Sequence, residues 1–407
     1  MFKKILLILL IINGGVMLSQ NKIFPYEYSK VKLDNGLSAI LIPMESAGTV
    51  AFYTVVRTGS RDEWEDGKSG FAHFFEHMMF RGTERFPGNV YDSIVTSIGA
   101  DANAYTSSDL TVYHLNFAAE DLETVIDIES DRFQNLKYTK EQFQTEAGAV
   151  LGEYRLGRTN PRSVLFEELR NLAFDTHTYQ HTTIGFEEDI KNMPNLYEYS
   201  LSFYQRYYRP ENCVVLIVGD FDKANAKNWI EKYYGNWKSG YVEPNITPEP
   251  TQTEARLKEV VYEGRTLPMI AVTFKSDEFD VNNKKFLSKI PFAELAFGTT
   301  SDLYKKLVLQ EQKVTFISAQ PGMTRDPYFF SIFATVKDEK DIDYVISEIK
   351  NCIEYFKNNL VDNQKLENLK KRNKYSFLLG LDSPRGVAAG LPQYIALSGG
   401  ISVIDSL

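Results

Sequence analysis

The chain has 407 residues, 43% of them hydrophobic, and a formal net charge of -9. That length exceeds what one ordinary core accommodates and points to two or three domains, while the acidic balance and scattered basic residues weigh against nucleic acid as a partner. Two cysteines, Cys213 and Cys352, exclude a disulfide-stapled fold.

Lys3 and Lys4 precede an aliphatic run from Ile5 to Ile12, followed by Asn13-Gly14-Gly15 and Val16 to Gln20. This has the form of a secretory signal peptide over residues 1–20; a buried first strand is the competing reading. The apolar run is too short to span a bilayer, so the mature chain is expected to be exported, periplasmic or secreted, with no stable membrane span. No cysteine near the cleavage region offers a lipid anchor.

The segment from Tyr28 reads as a strand, a turn at Asn35-Gly36 and a second strand to Pro43, and residues 48–58 form a third. These deliver the chain to GFAHFFEHMMFRGT, residues 70–83. On one helix, His73 and His77 lie four apart and share a face, a geometry that can hold zinc. Glu76 reaches the same side and can accept a proton from a water on the metal. Such a pair of histidines also arises by chance. The apolar flanks Phe71, Phe74, Phe75, Met78, Met79 and Phe80 would bury the helix, however, and unpartnered imidazole and carboxylate groups are costly to bury. A metal supplies the partners.

A short helix is expected from Pro87-Gly88 to Gly99. Residues 100–107, small and polar with Asn103 and Thr106, suit an exposed sheet edge on which a peptide can add as a strand through its backbone. A strand at 110–119 and a packing helix at about 120–136 follow. In the next helix, about 139–156, Glu146 and Glu153 lie seven apart and share a face. Glu153 can complete a site of two nitrogens and one carboxylate with the fourth position open to water, and Glu146 can stand behind it as an outer carboxylate. The alternative is that both glutamates face solvent. His177 and His181 fall in a polar loop that does not favour a second metal site.

Helices at 193–208 and 223–234 flank a buried strand at 212–220, where Cys213 acts as a small hydrophobe. Thus 21–237 reads as a first domain and the Pro-rich 238–256 as a linker. Residues 257–407 read as a loose repeat without a second HxxEH. Its expected strands are 257–263, 268–275, 313–319 and 327–336, with helices at 284–310, 340–358 and 362–379. The segment 385–406 starts a helix and stops, so the repeat is expected to be incomplete at its C-terminus.

The inverted HxxEH motif, with a glutamate pair ending at Glu153, resembles the M16 (pitrilysin or insulinase) family of zinc metallopeptidases. The chain looks most similar to short bacterial members related to the mitochondrial processing peptidase. Gly59-Ser60, Phe80-Arg81-Gly82-Thr83, Asn103-Ala104-Tyr105-Thr106 and Tyr208-Arg209-Pro210-Glu211-Asn212 also match. The resemblance implies an α+β fold of two duplicated, processing-peptidase-like domains, each an antiparallel-rich sheet packed with helices, the first catalytic and the second without the metal motif. It implies one Zn2+ held by His73, His77 and Glu153, with Glu76 as base, Glu146 supporting the site, and a peptide substrate bound along Asn103 and Ala104. Active members also use an arginine and a tyrosine seven apart; here Val308 and Thr315 stand at those places. A related subunit supplying that pair is therefore the expected partner, and a homodimer the weaker alternative. The implied function is an exported zinc metalloendopeptidase acting on peptides or unfolded segments. The alternatives are a non-catalytic or weakly active subunit that binds or chaperones peptides, and a zinc hydrolase of small substrates.

Overall fold

The computed structural model describes residues 22–406; the signal-peptide expectation falls on residues 1–20 and lies outside them. The first lobe opens with strands Ser29–Lys32 (β1), Ser38–Pro43 (β2) and Thr49–Val56 (β3), then helix Phe71–Met78 (α1). Helix Gly88–Ser97 (α2), strands Asp101–Thr106 (β4) and Thr111–Ala118 (β5), and helices Leu122–Asn135 (α3), Lys140–Gly157 (α4) and Pro161–Ala173 (α5) follow. Helices Glu187–Asn192 (α6) and Tyr197–Tyr207 (α7), strand Cys213–Gly219 (β6) and helix Lys223–Tyr234 (α8) complete this half.

The six strands form one sheet in the order β1-β2-β6-β3-β5-β4. All neighbours are antiparallel except the β2–β6 pair, which is parallel. Alternate side chains of these strands are apolar on both faces, so both must be covered. Ala39, Leu41, Phe52, Leu115, Val215 and Ile217 pack against α1, α3, α4, α7 and α8. On the other face Ile40, Ile42, Tyr53, Val55, Val112, Leu216 and Val218 await a cover.

That cover comes from the far end of the sequence. The second half contains strand Met269–Ser276 (β7), helices Lys284–Phe297 (α9) and Asp302–Tyr304 (α10), strands Val314–Pro321 (β8) and Tyr328–Val336 (β9), and helices Ile342–Asn358 (α11) and Asn363–Leu379 (α12). Two short helices, Pro384–Gly390 (α13) and Pro392–Ser398 (α14), then return to the first sheet, where Val387, Ala388, Leu391, Ile395 and Ala396 bury its outer face. The first lobe reciprocates. The second sheet, ordered β7-β9-β8, packs one face on α9 and α11, and on the other Phe166 of α5 lies 4.7 Å from the Phe333 ring.

Two expectations change. Residues 257–263 form no strand, and no helix or strand lies between α8 and β7, because this stretch finds no neighbouring strand to pair with. The segment after about 380, expected to belong to the second domain, is structurally part of the first. The two halves of the sequence are thus not two independently covered cores. Ile395 is fully buried in this outer layer, so Ile395→Ala is expected to cost about 2–5 kcal/mol of stability. Urea denaturation monitored in the first lobe measures it, and an unchanged midpoint would mean that α14 does not contribute to that lobe's core.

Candidate metal centre

α1 begins where Gly70 turns the chain at φ +93. A side chain there would be strained, and its Cβ would stand 2.5 Å from the Ile184 carbonyl oxygen, which is why only glycine fits. The helix then splits into two faces. Phe71, Phe74, Phe75 and Met78 are buried, with Phe75 stacked on Phe203 at 5.2 Å and Phe74 edge-on to Phe143 at 5.0 Å. His73, Glu76 and His77 remain on the partly open side.

α4 lies across that side. Its N-terminus is fixed by a capping box in which Thr139 and Gln142 satisfy each other's backbone amides. This orientation brings Glu153 and Glu146 to the histidines. Nε2 of His73 and Nε2 of His77 lie 3.5 and 3.4 Å from Oε2 of Glu153. Two donors each about 2.1 Å from a common centre at the tetrahedral angle are about 3.4 Å apart. The residues therefore fit a zinc ion. His73, His77 and Glu153 form the one such cluster of His, Cys, Asp and Glu donors among the described residues, with their ligand atoms within 4.8 Å of one another.

The surroundings suit that use. Burial lowers the pKa of His73 despite the nearby carboxylates of Glu76 and Glu153, which favours the neutral imidazole a metal requires. Oε2 of Glu146 lies 3.4 Å from Nδ1 of His77, and its other oxygen pairs with Arg81. Glu146 thus stands behind His77 rather than in the cluster. Glu76 is held differently: Oγ1 of Thr106 donates to its Oε2 at 2.7 Å.

Thr106 ends β4, one of the two edge strands of the sheet. Asn103 and Ala104 lie on this edge strand, Asn103 exposed and Ala104 buried toward α1. The Asn103 side chain accepts from the Ala104 amide at 2.8 Å. Sequence reasoning saw Thr106 only as part of a polar edge and missed its contact with Glu76. Reading the strand with period two, which puts Ala102, Ala104 and Thr106 on the helix side, would have found it. Arg81, four residues beyond His77, was open to the same helical reasoning. His177 and His181 do not converge on each other's ligands. Nε2 of His177 lies 2.9 Å from Asp326, and His181 is buried with Nδ1 2.9 Å from the Thr182 carbonyl oxygen, its pKa lowered by burial to about 4.

A two-lobed α+β fold with such a donor cluster on an HxxEH helix defines a zinc-dependent metalloendopeptidase. Residues 40–186 match the model of the insulinase family (peptidase family M16), and residues 196–373 that of the M16 inactive domain. The chain belongs, at the level of the superfamily, to the M16 zinc peptidases. It is 28% identical over 393 residues to the zinc protease PqqE of Helicobacter pylori, covering 95% of this chain and 87% of that protein. The crystal structure of a protease from Helicobacter pylori superposes with a TM-score of 0.86 at 26% identity, covering 94% of this chain and 95% of the other. The periplasmic protease PqqL of Escherichia coli shares the fold with a TM-score of 0.70 at 21% identity, over 94% of this chain and 46% of that one. These likenesses, nearly full-length for PqqE and to about half of PqqL, do not single out the processing-peptidase-like short members.

Glu146→Gln keeps the size of the side chain but weakens its hold on His77. The variant is expected to fold normally and to bind zinc about 10–100-fold more weakly, as read by competition with a chromophoric chelator.

Proposed function

We propose that this chain is an exported endopeptidase, acting in the periplasm or outside the cell, that cleaves extended peptides or unfolded protein segments with one Zn2+ per chain. The observation that carries this reading is the meeting of two features: the His73, His77 and Glu153 donors, and a carboxylate, Glu76, tethered to the edge strand β4.

His73, His77 and Glu153 would hold the metal, and Glu146 would orient His77. When bound, zinc supplies Lewis-acid polarisation of the scissile carbonyl and lowers the pKa of a water molecule. Glu76 takes the proton from the attacking water and delivers it to the leaving nitrogen. Thr106 occupies one of its oxygens and leaves the other for that transfer. A peptide added along Asn103 and Ala104 gains backbone hydrogen bonds that do not depend on its side chains. Because β4 runs from Asp101 to Thr106, a peptide seated along it extends toward the base.

The assignment among short members similar to the processing peptidase, and the need for a partner, belong to the same reading. Val308 lies in the helical run Lys305–Gln310 and Thr315 on β8, and neither offers the charge or the phenol of the family's Arg/Tyr pair. A related subunit carrying that pair would complete the substrate chamber, with a homodimer as the weaker alternative. The name of the PqqL relative, a periplasmic protease, supports an exported location, as does the leader-like N-terminus.

Glu76→Gln is expected to retain stoichiometric zinc and lose peptide hydrolysis. Metal analysis beside a peptide digest, with and without chelator, tests it, and undiminished cleavage would refute the role of the base. Thr106→Val is expected to lower kcat roughly tenfold with zinc content unchanged, from the loss of a hydrogen bond to a charged group worth about 1.5 kcal/mol. Steady-state kinetics on the purified variant gives the number, and a wild-type kcat would detach Thr106 from the reaction.

A further inference from the structure

We propose that Glu63 is a positioning residue for hydrolysis and that the second lobe acts through it: Arg325 and Asp326, at the β8–β9 tip, fix the segment 59–63 so that Glu63 sets the start of the histidine helix. The inference rests on the reading of α1 as the metal helix.

The first turn of a helix leaves backbone N–H groups without partners inside the helix. At α1 the N-cap is Gly70, which has no side chain to accept them. Glu63 does so from outside. Its Oε2 accepts from the Gly70 amide at 2.7 Å and its Oε1 from the Ala72 amide at 2.6 Å, one residue before His73. The side chain is fully buried. Burial raises the pKa of this carboxyl well above its ordinary value, while the two amides pull the other way, and the positive end of the helix dipole also favours the carboxylate. An α-helix of eight residues is too short to hold its own position, so the anchor at its start has leverage over where His73 points.

The two residues before Glu63 reach into the other lobe. Nε of Arg61 donates to the Asp326 carboxylate, which also lies 2.9 Å from Nε2 of His177. Burial alone would raise the Asp326 carboxyl, but the bonds from His177 and Arg61 outweigh it and hold the pKa below the usual carboxylate range. Nη2 of Arg325 stands 3.6 Å from Asp62 and donates to the carbonyl oxygens of Asp109, at 2.9 Å, and Arg57. Asp62 in turn accepts from Nη1 of Arg61 at 3.1 Å and from the Gly59 amide at 3.0 Å. Arg325 and Arg61 are both at least nine-tenths buried.

Adhesion between lobes would need only the ion pairs. Here residues 61 and 62 make the inter-lobe contacts and residue 63 holds the metal helix, with no flexible link between them. A shift of the tip must therefore move the Glu63 carboxylate, and a misplacement of about 1 Å in a catalytic group costs roughly a hundredfold in rate.

The test uses the full chain. Glu63→Gln keeps the shape but leaves one acceptor oxygen for two amides; Asp326→Asn removes the charge facing Arg61. Three measurements apply to both: hydrogen exchange at the Gly70 and Ala72 amides in metal-free protein, kcat and KM on a peptide, and the visible spectrum of the cobalt-substituted enzyme. Each variant is expected to exchange those amides faster, to shift the cobalt spectrum, and to lose roughly ten- to a hundredfold in kcat with little change in KM. A purely structural role would lower thermal stability but leave kcat per folded molecule and the cobalt spectrum as in the wild type, and that result overturns the proposal. Should Glu63→Gln not fold, Asp326→Asn decides alone by the same criteria. Failure of the metal reading would look different: the wild type would bind no metal and cleave nothing, while the amide exchange would still report whether the tip holds α1.

Discussion

The structure depends on holding one short helix still. α1 has eight residues, fewer than an isolated helix needs to form in water, yet it carries two imidazoles and a carboxylate. Its position comes from the Glu63 anchor at its start and from contacts made by its other side. Phe71 lies against Tyr199 and Phe203, Phe74 against Phe143, and Phe75 against Phe203 and Tyr208. Buried aromatic pairs contribute about 0.5–1.5 kcal/mol each beyond the area they bury, and their rings restrict rotation of the helix about its axis. Beneath them Tyr113 donates to the Phe75 carbonyl oxygen at 3.0 Å. The donors on the open face are oriented because the opposite face has no freedom.

The same requirement explains which parts could be read from the sequence. The histidine helix and the glutamate helix were legible because the chemistry repeats at helical spacing: His73 with His77, and Glu146 with Glu153, differ by near-whole turns. The edge strand at 101–106 was legible from its small polar residues. The long-range covers were not. Nothing local in Val387 or Ile395 says that their helices lie on β3 and β6, since an apolar face records that it is buried and not against what. The run Cys213–Gly219 did carry a hint, because continuous apolar residues demand cover on both sides of a sheet, and the first half of the chain supplies helices for only one. Residues 257–263 illustrate the converse: alternation without a neighbouring strand gives no strand. Arg325 and Asp326 were invisible for a related reason, as adjacent opposite charges in a loop resemble any solvated turn until their partners are seen to be Asp62 and Arg61.

The exchange of covers gives the duplicated architecture a physical meaning. α5 of the first half lies on the second sheet, and α13 and α14 of the second half lie on the first. Neither half of the sequence closes its own core: without α13 and α14 the first sheet would expose Ile42, Val55 and Val218. The covering role of the second half needs no metal ligands. The second sheet has three strands against six, while the segment that returns to the first sheet is kept.

The three donors are unequally exposed, and this bears on how the site is completed. His73 is 13% exposed, His77 28% and Glu153 48%, so the cluster opens on the side of α4. An open position is what a catalytic metal needs for water and substrate, but an open site also leaves developing charge in contact with bulk solvent, where each electrostatic interaction is weak. Val308 and Thr315 stand where the resemblance places the family's arginine and tyrosine, so those two positions add neither a charge nor a phenol. With solvent on that side, the donors keep their places because the buried aromatic face of α1 and the capped start of α4 hold them from behind.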